Sequence, residues 1–574
     1  MGRYSETKWF IHNKKADFKA VSEKFGIAPV IARVLRNRDL LTDEEIRRFL
    51  TGSVTDLYDG SLLPDAEKAA ALICGDIRNG TKIRIAGDYD IDGVCASYIL
   101  SDGLRSIGAD VSCVIPDRIR DGYGLNMSII EDLHRDGIGT LVTCDNGIAA
   151  IEELGKAKEY GIRVIVTDHH ELRSTEDGEE ILPPADAIVS AKLRGSAYPE
   201  KEICGAVTAW KLLGLIYRKL GIPAAMWEKY LEFAGFATIG DVMKLTGENR
   251  IIAREALRRM TEGAGNTGLR ALIAECGLSG KPVTCYHVGF VLGPCINAAG
   301  RLETAEKALA LFLTEDEREA HQIARRLMDI NDSRKLLTRK GQEEASEIVL
   351  SRYMEDLVLC VYLPGLHESM AGIVAGRLKE TFGKPSFVLT DSGEEGILKG
   401  SGRSVPAYNM FEGLLREAPL LYKFGGHPMA AGISVKRENL DALRESLNRH
   451  AGLTKEDLCQ RVMIDAEMPM SYVSESLLYD LSRLEPFGPG NEQPVFAERG
   501  ARPVNVRILG KNRNALRFTL LTKDGFPAEC VMFGEAEELF RELSEKETVS
   551  VLYYPQLNAY NGKKEIQFKI EAFQ

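Results

Sequence analysis

From about Ala66 onward, short apolar runs alternate with longer helix-like stretches. Ile83–Ala86, Val111–Ile115, Leu141–Thr143 and Val164–Thr167 are each short and apolar. Their spacing predicts βαβ units, and their unbroken apolar character predicts strands buried on both faces of a parallel sheet. Residues 1–50 read as polar helices, with turn signals near Gly52 and Gly60. Residues 245–345 are rich in Ala, Leu, Arg and Glu, and Glu315 to Val349 predicts one long helix, because neither Pro nor Gly interrupts Glu315–Lys340. A second α/β pattern fills Leu357–Arg449, with strands at Leu357–Tyr362 and Ser386–Thr390. Beyond Val462 the pattern turns to short strands: Val504–Leu509, Leu516–Leu521, Ala528–Phe533, Val549–Tyr554 and Ile566–Ile570. Five such strands predict a small barrel of the OB type. The expected organisation is a helical segment over 1–65, a parallel-sheet α/β domain over 66–245, a helical connector over 246–345, a second α/β domain over 346–455 and a β-barrel over 456–574.

Bulk properties change this picture little. A chain of 574 residues suggests about three or four domains, and 44% apolar residues with a mean hydropathy of −0.15 allow sizeable cores. No run of about 20 apolar residues predicts a membrane span, and Met1–Ser5 lacks the apolar stretch of a secretory signal. Eleven cysteines, an odd number without C-x-x-C spacing, argue against a zinc ribbon and a disulfide framework, so a reduced, cytoplasmic setting is expected. The net charge of −11 is unlike that of a general DNA binder. If nucleic acid is the substrate, the basic groups must be gathered on particular faces.

The chemistry lies at the strand ends. Ile83–Ala86 runs into Asp88-Tyr89-Asp90-Ile91-Asp92, Leu141–Thr143 into Asp145-Asn146-Gly147, and Val164–Thr167 into Asp168-His169-His170; Asp241, after Gly240, is a fourth candidate. In a parallel α/β sheet the carboxyl ends of the strands share one edge, where ligands bind. Any one of these motifs alone is often only a turn or a cap. Together they bring mutually repelling carboxylates to one place, a conflict that two divalent cations resolve. A mixed Asp/His set suits Mn²⁺, whereas Mg²⁺ prefers oxygen ligands. Two such ions can clamp the attacking and leaving oxygens of a phosphoryl displacement.

These motifs, in this order, resemble the DHH phosphoesterase superfamily. Asn297-Ala298-Ala299-Gly300-Arg301-Leu302, Ser401-Gly402-Arg403-Ser404, Gly425-Gly426-His427-Pro428-Met429-Ala430-Ala431-Gly432 and Pro486-Phe487-Gly488-Pro489-Gly490-Asn491 resemble its single-strand-specific exonuclease branch. The resemblance covers nearly the whole chain, including the opening around Lys8-Trp9 and Asn37-Arg38. It implies a DHH domain, a DHHA1-like domain and a terminal OB-fold. The implied activity is 5′→3′ degradation of single-stranded DNA to 5′-mononucleotides with two Mn²⁺ or Mg²⁺ ions, in DNA repair and recombination. Carried over by position, Asp90 would bind one metal and Asp92 the other, Asp145 would bridge them, and His169 and Asp241 would complete the ligand set of the second metal. His170 would lie beside the scissile phosphate, and Asp88 would be a ligand or an outer acceptor. Three positions depart from the family pattern. Ala86 stands where several members carry a metal-binding His, leaving Asp88 or water to fill the place. Cys295 stands where many members have Arg, so one phosphate contact is expected to be missing. Ser190-Ala191 replaces an Asn-Pro.

The second α/β region supplies groups suited to a strand. Ser401 and Arg403 can donate to a phosphate, Gly425 and Gly426 allow close approach of backbone N–H groups, and His427 could donate to the scissile phosphate across a cleft between two lobes. Arg301 and Asn297 are further substrate-binding candidates. In the barrel, Arg499, Arg502, Arg507, Lys511, Arg513, Arg517 and Lys523 follow one another with no acid between them. Phe518, Phe533, Tyr553, Tyr554 and Tyr560 are candidate stacking platforms, as in OB-folds that hold single strands. A helicase and a single-strand-binding protein are the partners implied, with a monomeric chain and no membrane. Two other readings compete. One is a DHH phosphoesterase acting on short oligonucleotides or cyclic dinucleotides, against which the terminal barrel argues. The other is a catalytically dead binding protein, against which the complete ligand set argues.

Overall fold

The computed structural model describes residues 7–118, 124–175, 177–510, 513–560 and 563–574. They form two compact units: Lys14–Asn331 with Glu475–Gln493, and the residues up to Asn13 with Asp332–Ser474 and Pro494–Gln574.

The first unit is built on five parallel strands, β1 (Ile83–Ala86), β2 (Val111–Val114), β3 (Thr140–Cys144), β4 (Arg163–Thr167) and β5 (Ala187–Val189), in the order β2-β1-β3-β4-β5. The four expected strands are present; the three-residue β5 is an addition. Successive strand residues face opposite sides. Val142, Cys144, Ile165 and Ala187 therefore join one core, and Leu141, Val164, Val166 and Ile188 another. Helices α1 (Ile91–Arg105), α2 (Gly205–Leu220) and α3 (Leu231–Gly240) cover the first face. The chain leaves β1 for β2 on one side and returns to β3 on the other, so the β1/β3 carboxyl ends form the topological switch point. Helices Gly247–Gly263, Thr267–Glu275 and Glu306–Leu313 add their apolar residues to the same large core. Within it, Lys211 and Glu248 form a buried ion pair at 3.0 Å, and Glu248 also accepts hydrogen bonds from the Tyr198 hydroxyl and the Tyr58 N–H. The long helix runs from Glu317 to Ile348.

In the second unit, β6 (Leu359–Tyr362), β7 (Ser386–Asp391), β8 (Ile397–Arg403), β9 (Leu421–His427) and β10 (Ala430–Lys436) form a mixed sheet in the order β9-β10-β8-β7-β6. Only β6 and β7 were legible as strands; β8, β9 and β10 are rich in Gly, Ser and Lys and lack an apolar run. The barrel consists of β11 (Phe496–Leu509), β12 (Ala515–Leu521), β13 (Pro527–Phe533), β14 (Val549–Tyr560) and β15 (Lys563–Phe573). Its strands run β11-β12-β13-β15-β14, and β14 pairs back onto β11 to close it, as an OB-fold requires. Among the described residues no helix is long and apolar enough to cross a membrane.

Breaking a buried ion pair by removing one partner costs about 3–5 kcal/mol. Lys211→Met is expected to destabilise the first unit by about that much in urea unfolding, and adding Glu248→Leu should recover most of it. A loss below about 1 kcal/mol for the single variant would contradict this account of the core.

Candidate functional site

The edge at the switch point collects the acids. Asp90 caps α1, its carboxylate accepting the N–H groups of Asp92 and Gly93 at 3.0 and 3.1 Å. Asp92, fully buried in the first turn, is held by a second helix: the α2 N–H groups of Gly205 and Ala206 donate to its two oxygens at 2.6 and 2.8 Å. Both carboxylates thus sit where helices leave N–H groups unpaired and the macrodipole favours negative charge. Asp145 follows β3 in the left-handed region, φ 61°. Gly205 makes room for it, since a Cβ there would lie 2.7 Å from the Asp145 Cβ.

After β4, the buried Asp168 organises the two histidines. It accepts the backbone N–H groups of Ile148, His169 and His170 at 2.9, 2.7 and 3.1 Å, and its Oδ1 is 2.8 Å from His170 Nδ1. His169 Nε2 then lies 3.0 Å from Asp145 Oδ1, 3.5 Å from Asp92 Oδ2 and 3.8 Å from Asp241 Oδ2. Asp241 ends α3. The helix closes with Val242 N–H to Ile239 O at 3.2 Å and Met243 N–H to Thr238 O at 3.0 Å, the two bonds of a Schellman turn. Its left-handed position, usually glycine, is Val242 at φ 61°. For a β-branched residue that conformation costs about 1–3 kcal/mol and persists only when its surroundings impose it.

The electrostatics single out the same groups. Burial, then the charge of Asp90, pushes Asp88 up to about 7. Burial, then Asp92 and Asp90, pushes Asp241 up to about 8. Asp90 and Asp145 are raised by burial and by Asp92. Burial lowers His169, which favours the neutral ring that a metal ligand must be. Burial also disfavours charge on His170, but the Asp168 hydrogen bond outweighs it and holds the imidazolium up to about 9.

Among the described residues, two buried oxygens, Asp88 Oδ1 and Asp145 Oδ1, have no hydrogen-bond partner. Such an orphan costs about 1–3 kcal/mol unless something else satisfies it. Asp88, Asp90 and Asp145 each offer a ligand atom within 4.8 Å of the others, as do Asp92, His169 and Asp241. Asp145 also groups with His169 and His170, but His170 Nδ1 is engaged by Asp168. The donors therefore fit two divalent cations, with Asp145 near both. Asp88, one of the trio around the first, stands beside the strand end at Ala86, which itself offers no ligand.

Other expected residues have different surroundings. Asn297 Oδ1 accepts the N–H of Ile91 at 2.7 Å, so this side chain braces the Asp90–Asp92 turn and leaves only its NH₂ for a ligand. Gly300 packs where a Cβ would overlap the Tyr89 carbonyl, which brings half-buried Arg301 to the same loop. Cys295 faces the core, donating to Val291 O at 3.2 Å and accepting from Asn331 at 3.5 Å. The sequence reading named Asp168 in its motif without this role and did not single out Arg118. Asp168 is invisible as an organiser because its role depends on backbone N–H groups, and Arg118, 5.0 Å over the Tyr89 ring, lies in no motif.

In the second unit the strand register aligns the expected donors. Arg403 pairs with Ala430, which pairs with His427; Ser401 pairs with Gly432, which pairs with Gly425. Rows two residues apart share a face, so Ser401, Arg403, Gly425 and His427 lie on one side of the sheet. Gly425 and Gly426 are strand residues here, and Gly425, Gly426 and His427 are exposed on the sheet's edge strand. In the barrel the basic run is less free than its sequence suggests. Arg499, Arg513 and Arg517 pair with Glu467, Glu537 and Glu529, and Lys511 lies outside the described residues. Phe518, Tyr553 and Tyr554 belong to the buried core, the side chain of Tyr560 lies outside the described residues, and Phe533 is exposed.

Known proteins share this architecture. Family profiles described as "DHH family, N-terminal domain", "DHHA1 domain" and "RecJ OB domain" match residues 82–238, 355–452 and 464–572. The single-stranded-DNA-specific exonuclease RecJ of Bacillus subtilis is 34% identical over 570 residues, covering 99% of this chain and 71% of the relative. That of Haemophilus influenzae is 30% identical over 562 residues, covering 95% and 96%. The crystal structure of RecJ in complex with Mn²⁺ from Thermus thermophilus superposes with a TM-score of 0.84 at 29% identity, covering 99% of this chain and 80% of that one.

The packing at Asp145 can be tested directly. Gly205→Ala should displace Asp145 and weaken Mn²⁺ binding by about 10–100-fold, the usual cost of disturbing a ligand's support. Calorimetric titration of the full chain would measure it; unchanged affinity would show that the contact does not position the carboxylate.

Proposed function

The chain belongs to the RecJ family of DHH proteins, and from that premise we propose that it is a single-stranded-DNA-specific exonuclease that hydrolyses phosphodiester bonds from the 5′ end with two divalent metal ions. The observation that carries this reading is the pair of ligand trios around Asp145, at the carboxyl ends of adjacent parallel strands. Relatives crystallised with Mn²⁺ and with Mg²⁺ support the choice of ion.

Asp88, Asp90 and Asp145 would hold one ion; Asp92, His169 and Asp241, with Asp145 beside them, would hold the other. Bound ions supply positive charge to the attacking and leaving oxygens and favour a hydroxide nucleophile near neutral pH. The remaining work falls to side chains. Asp168 fixes both histidine rings. With Nδ1 held by Asp168, His170 offers Nε2–H to a phosphate oxygen as negative charge develops. Ser401, Arg403, His427 and the N–H groups at Gly425 and Gly426 bind the substrate's phosphates, Arg403 with its planar fork. Arg301 and Asn297 support the turn that carries Asp90 and Asp92. The barrel grips the strand through Arg502, Arg507 and Lys523, which have no carboxylate in pairing range among the described residues. In this reading the chain acts as a cytoplasmic monomer in repair and recombination. A helicase and a single-strand-binding protein supply and manage its strand.

Degradation of a long single strand labelled at its 5′ end should release labelled mononucleotide first, and a duplex should resist. Release only from di- or trinucleotides, or from cyclic dinucleotides, would replace this reading with the short-substrate one. Asp145→Ala should lower the rate by more than about 100-fold, beyond the loss of an outer-shell partner; an active variant would refute the shared ligand.

Arg403→Lys keeps the charge but loses the fork, and should raise KM by about tenfold or more, the worth of a hydrogen bond to a charged group. An unchanged KM would remove Arg403 from the binding surface.

A further inference from the structure

The Pro486–Asn491 motif has no place in the chemistry above, yet it packs against Lys244, Leu245 and Thr246, a few residues past Asp241. Asp241 is followed by the strained Val242 and then by Met243-Lys244-Leu245. The Leu245 N–H donates to Pro489 O at 2.7 Å. Gly488 lies against the buried Leu245 side chain, where a Cβ would come within 2.7 Å of Cδ1. Gly490, at φ 73°, faces Lys244 and Thr246, with 3.3 and 3.1 Å to the nearest side-chain atoms from a Cβ. Asn491, fully buried, ties the motif to itself through Leu484 O and Pro486 O at 2.9 and 2.7 Å.

The residues after the loop grip the same segment. Arg250 is 1% exposed, and its guanidinium donates to Arg483 O, Glu485 O and Pro486 O at 3.0, 2.6 and 3.2 Å and to Phe49 O at 3.1 Å. Its ring partner is Phe49, at 3.9 Å. Among the described residues no carboxylate lies within ion-pair distance of Arg250, so carbonyls alone compensate a buried charge, an arrangement that is costly unless every donor is used. Asn249 Nδ2 donates to Lys244 O at 3.1 Å, inside the loop, and to Glu202 O. Glu248 is fixed by Lys211 and Tyr198. Three consecutive buried polar residues thus anchor one end of a loop whose other end holds Val242 in an unfavourable conformation. A strained residue stays strained only while its neighbours hold it.

We propose that Pro486–Asn491, clamped by Arg250, is a positioning element for Asp241, and that the ion held by Asp92, His169 and Asp241 binds tightly only while this motif braces the Asp241 loop. The inference rests on the ligand assignment made above. Without the brace, the loop relaxes at Val242 and turns the Asp241 carboxylate away from His169 and Asp92. The ion at Asp88 and Asp90 is unaffected, because neither residue touches the loop's anchors.

The test is Mn²⁺ titration of the full chain, followed by calorimetry and by the electron paramagnetic resonance signature of a coupled ion pair. Gly488→Ala and Asn249→Ala are expected to weaken one of the two sites about tenfold, or about 1.4 kcal/mol. The other site should be unchanged, the pair signal should fade at limiting Mn²⁺, and excess Mn²⁺ should restore kcat. Asp241→Asn should abolish that same site. Wild-type affinity at both sites in the two folded variants overturns the proposal, as does parallel weakening of both sites, which would mark a general loss of structure. Should one variant fail to fold, the other decides; should both fail, Gly490→Ala is read by the same criteria. If Asp241→Asn leaves both sites intact, it is the ligand assignment that fails.

Discussion

Asp88, Asp90, Asp92, Asp145 and Asp241 crowd one end of a parallel sheet, where burial and mutual repulsion both oppose their charges. Two unit charges about 4 Å apart repel by roughly 4 kcal/mol at an effective dielectric of about 20. A hydrogen bond to a charged group returns about 1.5–3 kcal/mol. The N–H donors of α1 and α2 therefore offset the charges of Asp90 and Asp92 in part, whereas among the described residues no hydrogen bond satisfies Asp88 Oδ1 or Asp145 Oδ1, the latter facing His169 Nε2 at 3.0 Å. Cations are needed to close the difference. Much of the surrounding architecture serves that end: α2 begins at a glycine because Asp145 lies against it, and α1 begins at Ile91, capped by Asp90 and with its first N–H accepted by Asn297.

How far this was legible depended on the range of the interaction. Strands β1 to β4, the long helix and the barrel strands announced themselves by local periodicity, and the acids declared themselves by following the strands. Parallel topology alone gathers the trio members that follow strands, while Asp241 joins them from the end of α3. The role of Asp168 was not legible. It is written in three backbone N–H groups and one ring nitrogen, none of which is a residue type. Strands β8 to β10 were missed because Gly425, Gly426 and Gly432 replace the apolar residues a strand normally shows. Only the pairing of Arg403 with Ala430 and of Ala430 with His427 reveals that these donors share a face.

The barrel illustrates the opposite error, in which local pattern overstates function. Seven basic residues without an intervening acid look like an unshielded stripe. Antiparallel pairing places Glu529 on the neighbouring strand beside Arg517, and the helix after β13 brings Glu537 to Arg513. Likewise, alternation along β12 and β14 sends Phe518 and Tyr553 inward, because a small closed barrel must fill its interior with its largest side chains.

A net charge of −11 is then no obstacle to holding a polyanion. Surface pairs such as Arg517 with Glu529 are solvent-screened and act over less than about 10 Å at physiological salt. A phosphate bound at Arg403 would respond to the groups in its own row, not to the sum over the chain. The acids that would repel a strand most strongly are those at the sheet edge, and they are the ones whose charge bound cations would cancel or reverse. A site that concentrates carboxylates to capture metal becomes attractive to phosphate only once the metal is there, so a strand engages it productively only in its loaded state.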